Sequence, residues 1–132
     1  MKKTFFITIF VALFSLNVLG DNDPVAAINL EHRLQDNHFG FPVYPADQPQ
    51  AFYDAVDQEI IIDGTGEASY YDVDIISLST LITVMSTQVN GTYDTIDVSS
   101  LPDDNYQIVI TSSNYNVFEG YFTNYWHYSI FY

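Results

Sequence analysis

Asp72 and Asp74 fall two residues apart in an alternating run, which sets both carboxylates on one face of a strand. A carboxylate pair does acid–base work when burial or mutual repulsion drives the two pKa values apart. With seventeen acidic residues in the chain, some close pair is inevitable, and this one falls on the face expected to meet solvent. The histidines, His32, His38 and His127, have no spacing typical of a metal site. Asp21-Asn22-Asp23 and Asp103-Asp104-Asn105 offer oxygen ligands for calcium, but neither fits a calcium-loop pattern. A solvated lead-in and turn chemistry account for them better. Gly64-Thr65-Gly66 is followed by no helix-forming run and no lysine, so it is not a phosphate loop. No nucleophile elbow or metalloprotease helix is present either. The residues therefore point to a protein that is not an enzyme, with no catalytic residue, no cofactor and no metal.

Contact chemistry is the alternative. From Tyr115 onward aromatic residues crowd the chain, and Trp126 is its single tryptophan. Tyr121, Tyr125, Trp126, Tyr128 and Phe131 form the candidate contact surface, since exposed rings stack on sugars or anchor protein partners. Tyr128, Ile130 and Tyr132 also alternate as a paired strand would, with aromatics in cross-strand pairs. A further reading makes this a strand offered to the sheet edge of a neighbouring chain.

The elements that must position these residues begin after a leader. Lys2 and Lys3 open the chain, residues 5–16 are a short apolar run, and Val18 and Gly20 place small side chains at a cleavage site. Residues 1–20 read as a secretory signal, too short to span a membrane, with the mature chain starting at Asp21. The expected location is outside the cytoplasm: periplasmic, cell-surface associated or extracellular. There is no cysteine, so an exported domain must hold together without disulfides. The formal net charge is −14, and with Lys2 and Lys3 in the leader only Arg33 remains against the acids. Such a field repels nucleic acid and anionic lipid. The expected partner is a protein or glycan, with no nucleic acid, no membrane insertion, and a monomeric or weakly self-associating state.

Residues 21–49 read as an N-terminal edge segment and connector, and residues 50–132 as the body. Residues 26–31 suggest a first edge strand with Ile28 and Leu30 on one face, and the partial helical spacing of Ile28, Leu30 and Leu34 makes an amphipathic helix over residues 26–34 the competing reading. Gly40, Pro42, Pro45 and Pro49 mark an extended connector, with Phe39, Phe41, Val43 and Tyr44 pinned to the body. Residues 51–56 and 59–63 read as a hairpin, and the β-branched Ile60-Ile61-Ile62 as a central strand. Residues 70–76 alternate with Val73 and Ile75 inward. Residues 81–88 return with Ile82 and Val84 inward, and Asn90-Gly91 closes the next turn. Residues 95–111 then give strand, corner, strand. Pro102 presets a turn position after the extended Leu101, and Tyr106, Ile108 and Ile110 resume the alternation. Tyr106 is placed to tie its hydroxyl back to upstream backbone as a tyrosine corner. Turn signals at roughly ten-residue spacing without a convincing helix give an all-β fold, an antiparallel β-sandwich of about seven strands.

The cadence Ile96-x-Val98-x-x-Leu101-Pro102-x-x-x-Tyr106-x-Ile108-x-Ile110, followed by Val117-Phe118-Glu119-Gly120-Tyr121-Phe122, resembles that of domain of unknown function 3244. This is a family of small exported gut-bacterial proteins. The cadence is similar as well to immunoglobulin-like C-terminal sorting domains of type nine secretion substrates. The resemblance spans residues 50–123 and implies an immunoglobulin-like sandwich behind a signal peptide, with no assigned activity. The family usually has glycine where this chain has Asp104, which predicts a positive φ at Asp104 or Asn105. Asp94-Thr95-Ile96 is similar to the tripeptide that such bacteria O-glycosylate, and it also reads as a plain strand start.

Overall fold

The computed structural model describes residues 24–33 and 45–124. The leader, the connector residues His38, Phe39, Phe41, Val43 and Tyr44, and the C-terminal Tyr125, Trp126, His127, Tyr128, Ile130, Phe131 and Tyr132 lie outside the described residues.

Nine strands are described: β1 (Val25–Ile28), β2 (Glu31–His32), β3 (Gln50–Asp54), β4 (Glu59–Asp63), β5 (Tyr70–Ser77), β6 (Thr83–Asn90), β7 (Tyr93–Asp97), β8 (Asp104–Ser112) and β9 (Val117–Asn124). They form two antiparallel sheets, ordered β1-β3-β4-β7 and β2-β9-β8-β5-β6. The period-two pattern makes each strand amphipathic, and the two apolar faces close on one another. Ile60, Ile62, Val73, Ile75, Val98, Tyr106, Ile108, Ile110 and Phe118 are all essentially inaccessible. Each such side chain contributes about 1.5–3 kcal/mol relative to exposure. β4 is central in its sheet, which the run Ile60-Ile61-Ile62 predicts.

The first edge strand is divided. β1 pairs with β3 in one sheet, and after Asn29-Leu30 the chain crosses to pair β2 with β9 in the other. Gly120 of β9 makes room for this crossing. A Cβ there would lie 2.7 Å from the Asn29 carbonyl oxygen and 2.8 Å from Ile28 Cγ2. The crossing adds strands to the seven expected, so the described count is nine.

β6 corrects a second expectation. Ile82 is 61% exposed and Val84 40%, so neither points inward. Ile75 pairs with Met85 while Ile76 pairs with Thr83, leaving Val84 as an extra residue. A one-residue insertion turns the alternation over, and Met85 and Val89 face the core instead. The Asn90-Gly91 turn does not join neighbours in one sheet. It carries the chain from β6 across to β7.

At the corner, the Tyr106 hydroxyl donates to the Pro102 carbonyl at 2.6 Å, and Leu101 is buried behind it. Neither Asp104 nor Asn105 has positive φ; the non-glycine residues that do are Gln58, Leu81 and Tyr115, among those described. Side-chain bonds replace the left-handed residue. Asp104 Oδ1 accepts from the Asn105 amide, and its Oδ2 accepts from the Ser77 and Ser79 hydroxyls, each at 2.7 Å. β8 can then start directly in extended geometry. Tyr106→Phe should cost about 1 kcal/mol, the net value of one such hydrogen bond, read as a shift in the denaturation midpoint.

Candidate interaction surface

An edge strand presents unpaired backbone donors and acceptors, so each of the four edges is a potential contact, and each is normally blunted. β1 is four residues long and follows Pro24, β2 is two residues long, and β7 carries Asp94 and Asp97. β6 is eight residues long and carries no charge. No Asp, Glu, Lys or Arg lies anywhere between Asp74 and Asp94, in a chain of net charge −14.

The register states which β6 backbone groups point outward. The Ser113 amide donates to the Tyr70 carbonyl, and the Leu78 amide donates to the Asn105 carbonyl, so even-numbered residues of β5 direct their backbone groups to the β8 side. Odd-numbered β5 residues therefore bond β6, through the pairs Tyr71 with Val89, Val73 with Thr87 and Ile75 with Met85. It follows that Ser86, Gln88 and Asn90 direct their amides and carbonyls away from the sheet. The Asn90 amide meets the Asp94 carboxylate at 3.2 Å. Among the described residues no strand pairs with this side of β6.

The outer-face side chains are arranged to leave that edge open. Ser86 Oγ donates to Asp74 Oδ1 at 2.6 Å and Gln88 Nε2 to Asp72 Oδ1 at 3.0 Å, both back across β5. Asp72 and Asp74 thus hold the edge strand's side chains. At the near end of β6 lies an exposed apolar tip of Leu78, Leu81, Ile82 and Val84. Leu81 is 76% exposed and sits at φ 62. Sequence reading missed this surface because it assigned Ile82 and Val84 to the core; the uncharged stretch was the available signal.

Of the predicted contact residues, Tyr121 alone falls among the described ones, and it is 62% exposed on β9. Leu101, Pro102, Asp104 and Tyr106 come together at the corner described above. Thr95 is exposed on β7. His32 packs on the Phe118 ring, with centroids 5.4 Å apart. Arg33 makes a two-pronged pair with Glu119 at 2.9 and 3.0 Å, pinning β2 to β9 and holding the Glu119 carboxyl below its usual range.

Two buried polar residues were not foreseen. Asn124 is inaccessible; its Nδ2 donates to the Val98 and Leu101 carbonyls, and its Oδ1 accepts from the Tyr53 hydroxyl and Gln58 Nε2. Asp47 is 2% exposed and accepts from Asn114 and Asn116 Nδ2, while its carbonyl accepts from the Tyr71 hydroxyl. Burial pushes the Asp47 carboxyl up, but hydrogen bonds from Ser112, Asn114 and Asn116 outweigh it and leave the group below its ordinary value. A depressed folded-state pKa adds stability above the unfolded value, near 4, and that stability is lost as pH falls through the folded value. Acid titration of the folded protein should therefore destabilise it below about pH 4. Asp47→Asn should cost about 2 kcal/mol at neutral pH and flatten the acid limb, measured by denaturation at several pH values.

Asp54, Asp57 and Glu59 bring their carboxylates within 4.8 Å at the β3–β4 turn. Asp54 Oδ1 there accepts from the Val56 and Asp57 amides, which is turn chemistry. An open hollow of about 250 Å³ beside the β1–β2 crossing is lined by residues such as Leu30, Gln48, Pro49 and Phe52, with no titratable or nucleophilic side chain among its lining.

No family model matches the chain, and no curated protein matches it. A solved structure does. The chain is similar to a DUF3244 family protein from Bacteroides vulgatus with an immunoglobulin-like β-sandwich fold, at a TM-score of 0.60 and 18% identity. The match covers 77% of this chain and all of the other. The fold is thus an immunoglobulin-like β-sandwich.

Proposed function

We propose that this immunoglobulin-like sandwich is a non-catalytic interaction module, exported by its leader, that works by accepting a polypeptide strand along β6. The single observation that carries the reading is β6 itself: a long edge without charge, whose Ser86 and Gln88 backbone groups face outward. Strand addition draws its affinity from such main-chain groups, and the neighbouring apolar tip supplies side-chain contact. The acidic surface, including Asp72, Asp74 and Asp94 beside the strand, disfavours acidic partners, while β6 itself offers an uncharged backbone.

A labelled peptide copying residues 83–90 should bind saturably to the full mature chain in fluorescence anisotropy. Ser86→Pro should abolish that binding, because it removes an outward amide while sparing the bonds to β5. Absence of saturable binding, or binding untouched by Ser86→Pro, would refute the reading. A second contact is favoured by the exposure of Tyr121, which precedes Trp126 in the sequence. Trp126→Ala separates the two, since it should leave binding of the peptide unchanged.

A further inference from the structure

Resting on the reading of β6 as a strand-accepting edge, we propose that its occupant is β6 of a second copy of this chain. The two strands run antiparallel about a twofold axis at Thr87. Such an axis makes the contact self-complementary, as closed dimers require. Parity requires the axis to fall on a residue, and Thr87 is the centre that sets the outward Ser86 and Gln88 against each other without using the Asn90 amide, which Asp94 already holds. An axis perpendicular to the sheet keeps the core faces of both copies on the same side, so inward residues must oppose inward residues. Centring on Thr87 places Met85 opposite Val89 and Ser86 opposite Gln88.

Among the described residues no strand bonds the outward backbone groups of Ser86 and Gln88, which can therefore take the bonds. Ser86 and Gln88 point their amides and carbonyls outward, so Ser86 of one copy and Gln88 of the other exchange a pair of hydrogen bonds, and symmetry repeats the exchange. Thr87 then faces its own copy as a non-hydrogen-bonded pair, the closer kind, with Cα atoms about 4.5 Å apart. The same register lays the exposed tip of Leu81, Ile82 and Val84 alongside the 90–93 turn of the other copy, where Tyr93 is 56% exposed. Apolar side chains left in water in the single chain would be covered from both ends.

Charge and length together select this edge over the other three. Two chains this acidic repel each other; β2 and β7 carry carboxylates, β1 is uncharged but only four residues long after Pro24, and β6 brings two eight-residue strands together with no carboxylate on either. With no ion pair across the contact, added salt screens the repulsion between the bodies and removes no attraction. The Debye length falls from about 30 Å to about 3 Å between about 0.01 M and about 1 M salt. Dimerisation should therefore strengthen with salt, opposite to an interface held by charge pairs.

The absence of cysteine permits a direct test on the full mature chain. A non-hydrogen-bonded antiparallel pair matches the Cα spacing of a disulfide. Under mild oxidation Thr87→Cys should form a covalent dimer, whereas Val56→Cys, 74% exposed at the β3–β4 turn, should not. Sedimentation of the wild type should show salt-strengthened dimers. Ser86→Pro and Thr87→Lys should each weaken them about tenfold or more, the second by setting like charges face to face. Mixing Thr87→Lys with Thr87→Glu should restore association, which holds only if Thr87 lies on the axis.

A chain that stays monomeric, or a Thr87→Cys that cross-links no faster than Val56→Cys, overturns the proposal. So does a dimer lost on deleting residues 125–132 and indifferent to Thr87→Lys, since the occupant is then the C-terminal strand. A monomer that still binds the 83–90 peptide refutes self-pairing alone and leaves the strand-accepting edge standing. A monomer that binds no peptide refutes both.

Discussion

Asn124→Leu should lower stability by about 3 kcal/mol or more, with the melting midpoint falling by about 15 °C. The side chain is fully buried, and its four partners come from three separate places in the fold. The Val98 and Leu101 carbonyls belong to the chain crossing from β7 to β8. The Tyr53 hydroxyl comes from β3 and the Gln58 amide from the β3–β4 turn. A leucine of similar size would remove the donors and the acceptor together. The Leu101 carbonyl would lose this donor inside the core, the Val98 carbonyl would keep only the Leu101 amide, and the Tyr53 hydroxyl would lose this acceptor; a buried polar group left unsatisfied costs about 1–3 kcal/mol. Thr123→Val is the control one position earlier. Thr123 Oγ1 bonds Asn105 Oδ1 in an exposed position, so its loss should stay within about 0.5 kcal/mol. Equal midpoints for the two variants in chemical denaturation would show that Asn124 does not tie the sheets together.

The second large effect is expected at Gly91. A Cβ there would lie 1.8 Å from the Ala68 carbonyl oxygen and 3.0 Å from the Ser69 carbonyl carbon. These are backbone atoms, so no side chain can swing aside. Gly64 packs into the same place: a Cβ on it would lie 2.1 Å from the Gly91 carbonyl oxygen, and its amide donates to the Thr92 carbonyl at 2.6 Å. The β4–β5 loop and the β6–β7 crossing are thus in backbone contact through two glycines. Gly91→Ala must push these segments apart, at about 3 kcal/mol, the upper end of overpacking costs. Gly66→Ala offers the opposite case. Nothing would meet its Cβ within 4 Å, but its φ of +88 disfavours any L side chain, at about 1–2 kcal/mol. Steric contact at Gly91 outranks backbone conformation at Gly66. Denaturation midpoints in the reverse order would contradict this account.

The second effect bears on how β6 is held. Its far end is fixed by the Gly64–Gly91 contact and by Asn90, whose Oδ1 accepts from the Thr92 and Tyr93 amides. Its near end is set by the extra residue Val84. Between them Asp72 and Asp74 hold Gln88 and Ser86 in place on the outer face. The edge is fixed before any second strand arrives, which lowers the ordering cost of pairing.

Local pattern alone determined a good deal. Alternation in Ile60 and Ile62, Val73 and Ile75, and Tyr106, Ile108 and Ile110 marks which face of each strand is buried, because a strand's side-chain period depends only on its own backbone. Pro102 and Tyr106 announced the corner for the same reason, since a turn and a bond four residues back are local events. Tertiary structure decided the rest. Whether Ile82 and Val84 lie inside or outside turns on a register shift against β5, and the change of parity from Val84 to Met85 does not by itself say which half of the run faces the core. That β6 stands at an edge is a fact about the order of strands, fixed by which sheet each crossing enters. Asn124 and Asp47 look like ordinary polar residues in the chain. They are buried because partners as far as 71 positions away in sequence satisfy their hydrogen-bonding groups. Distant partners, unlike neighbours, are visible only once the layers have closed.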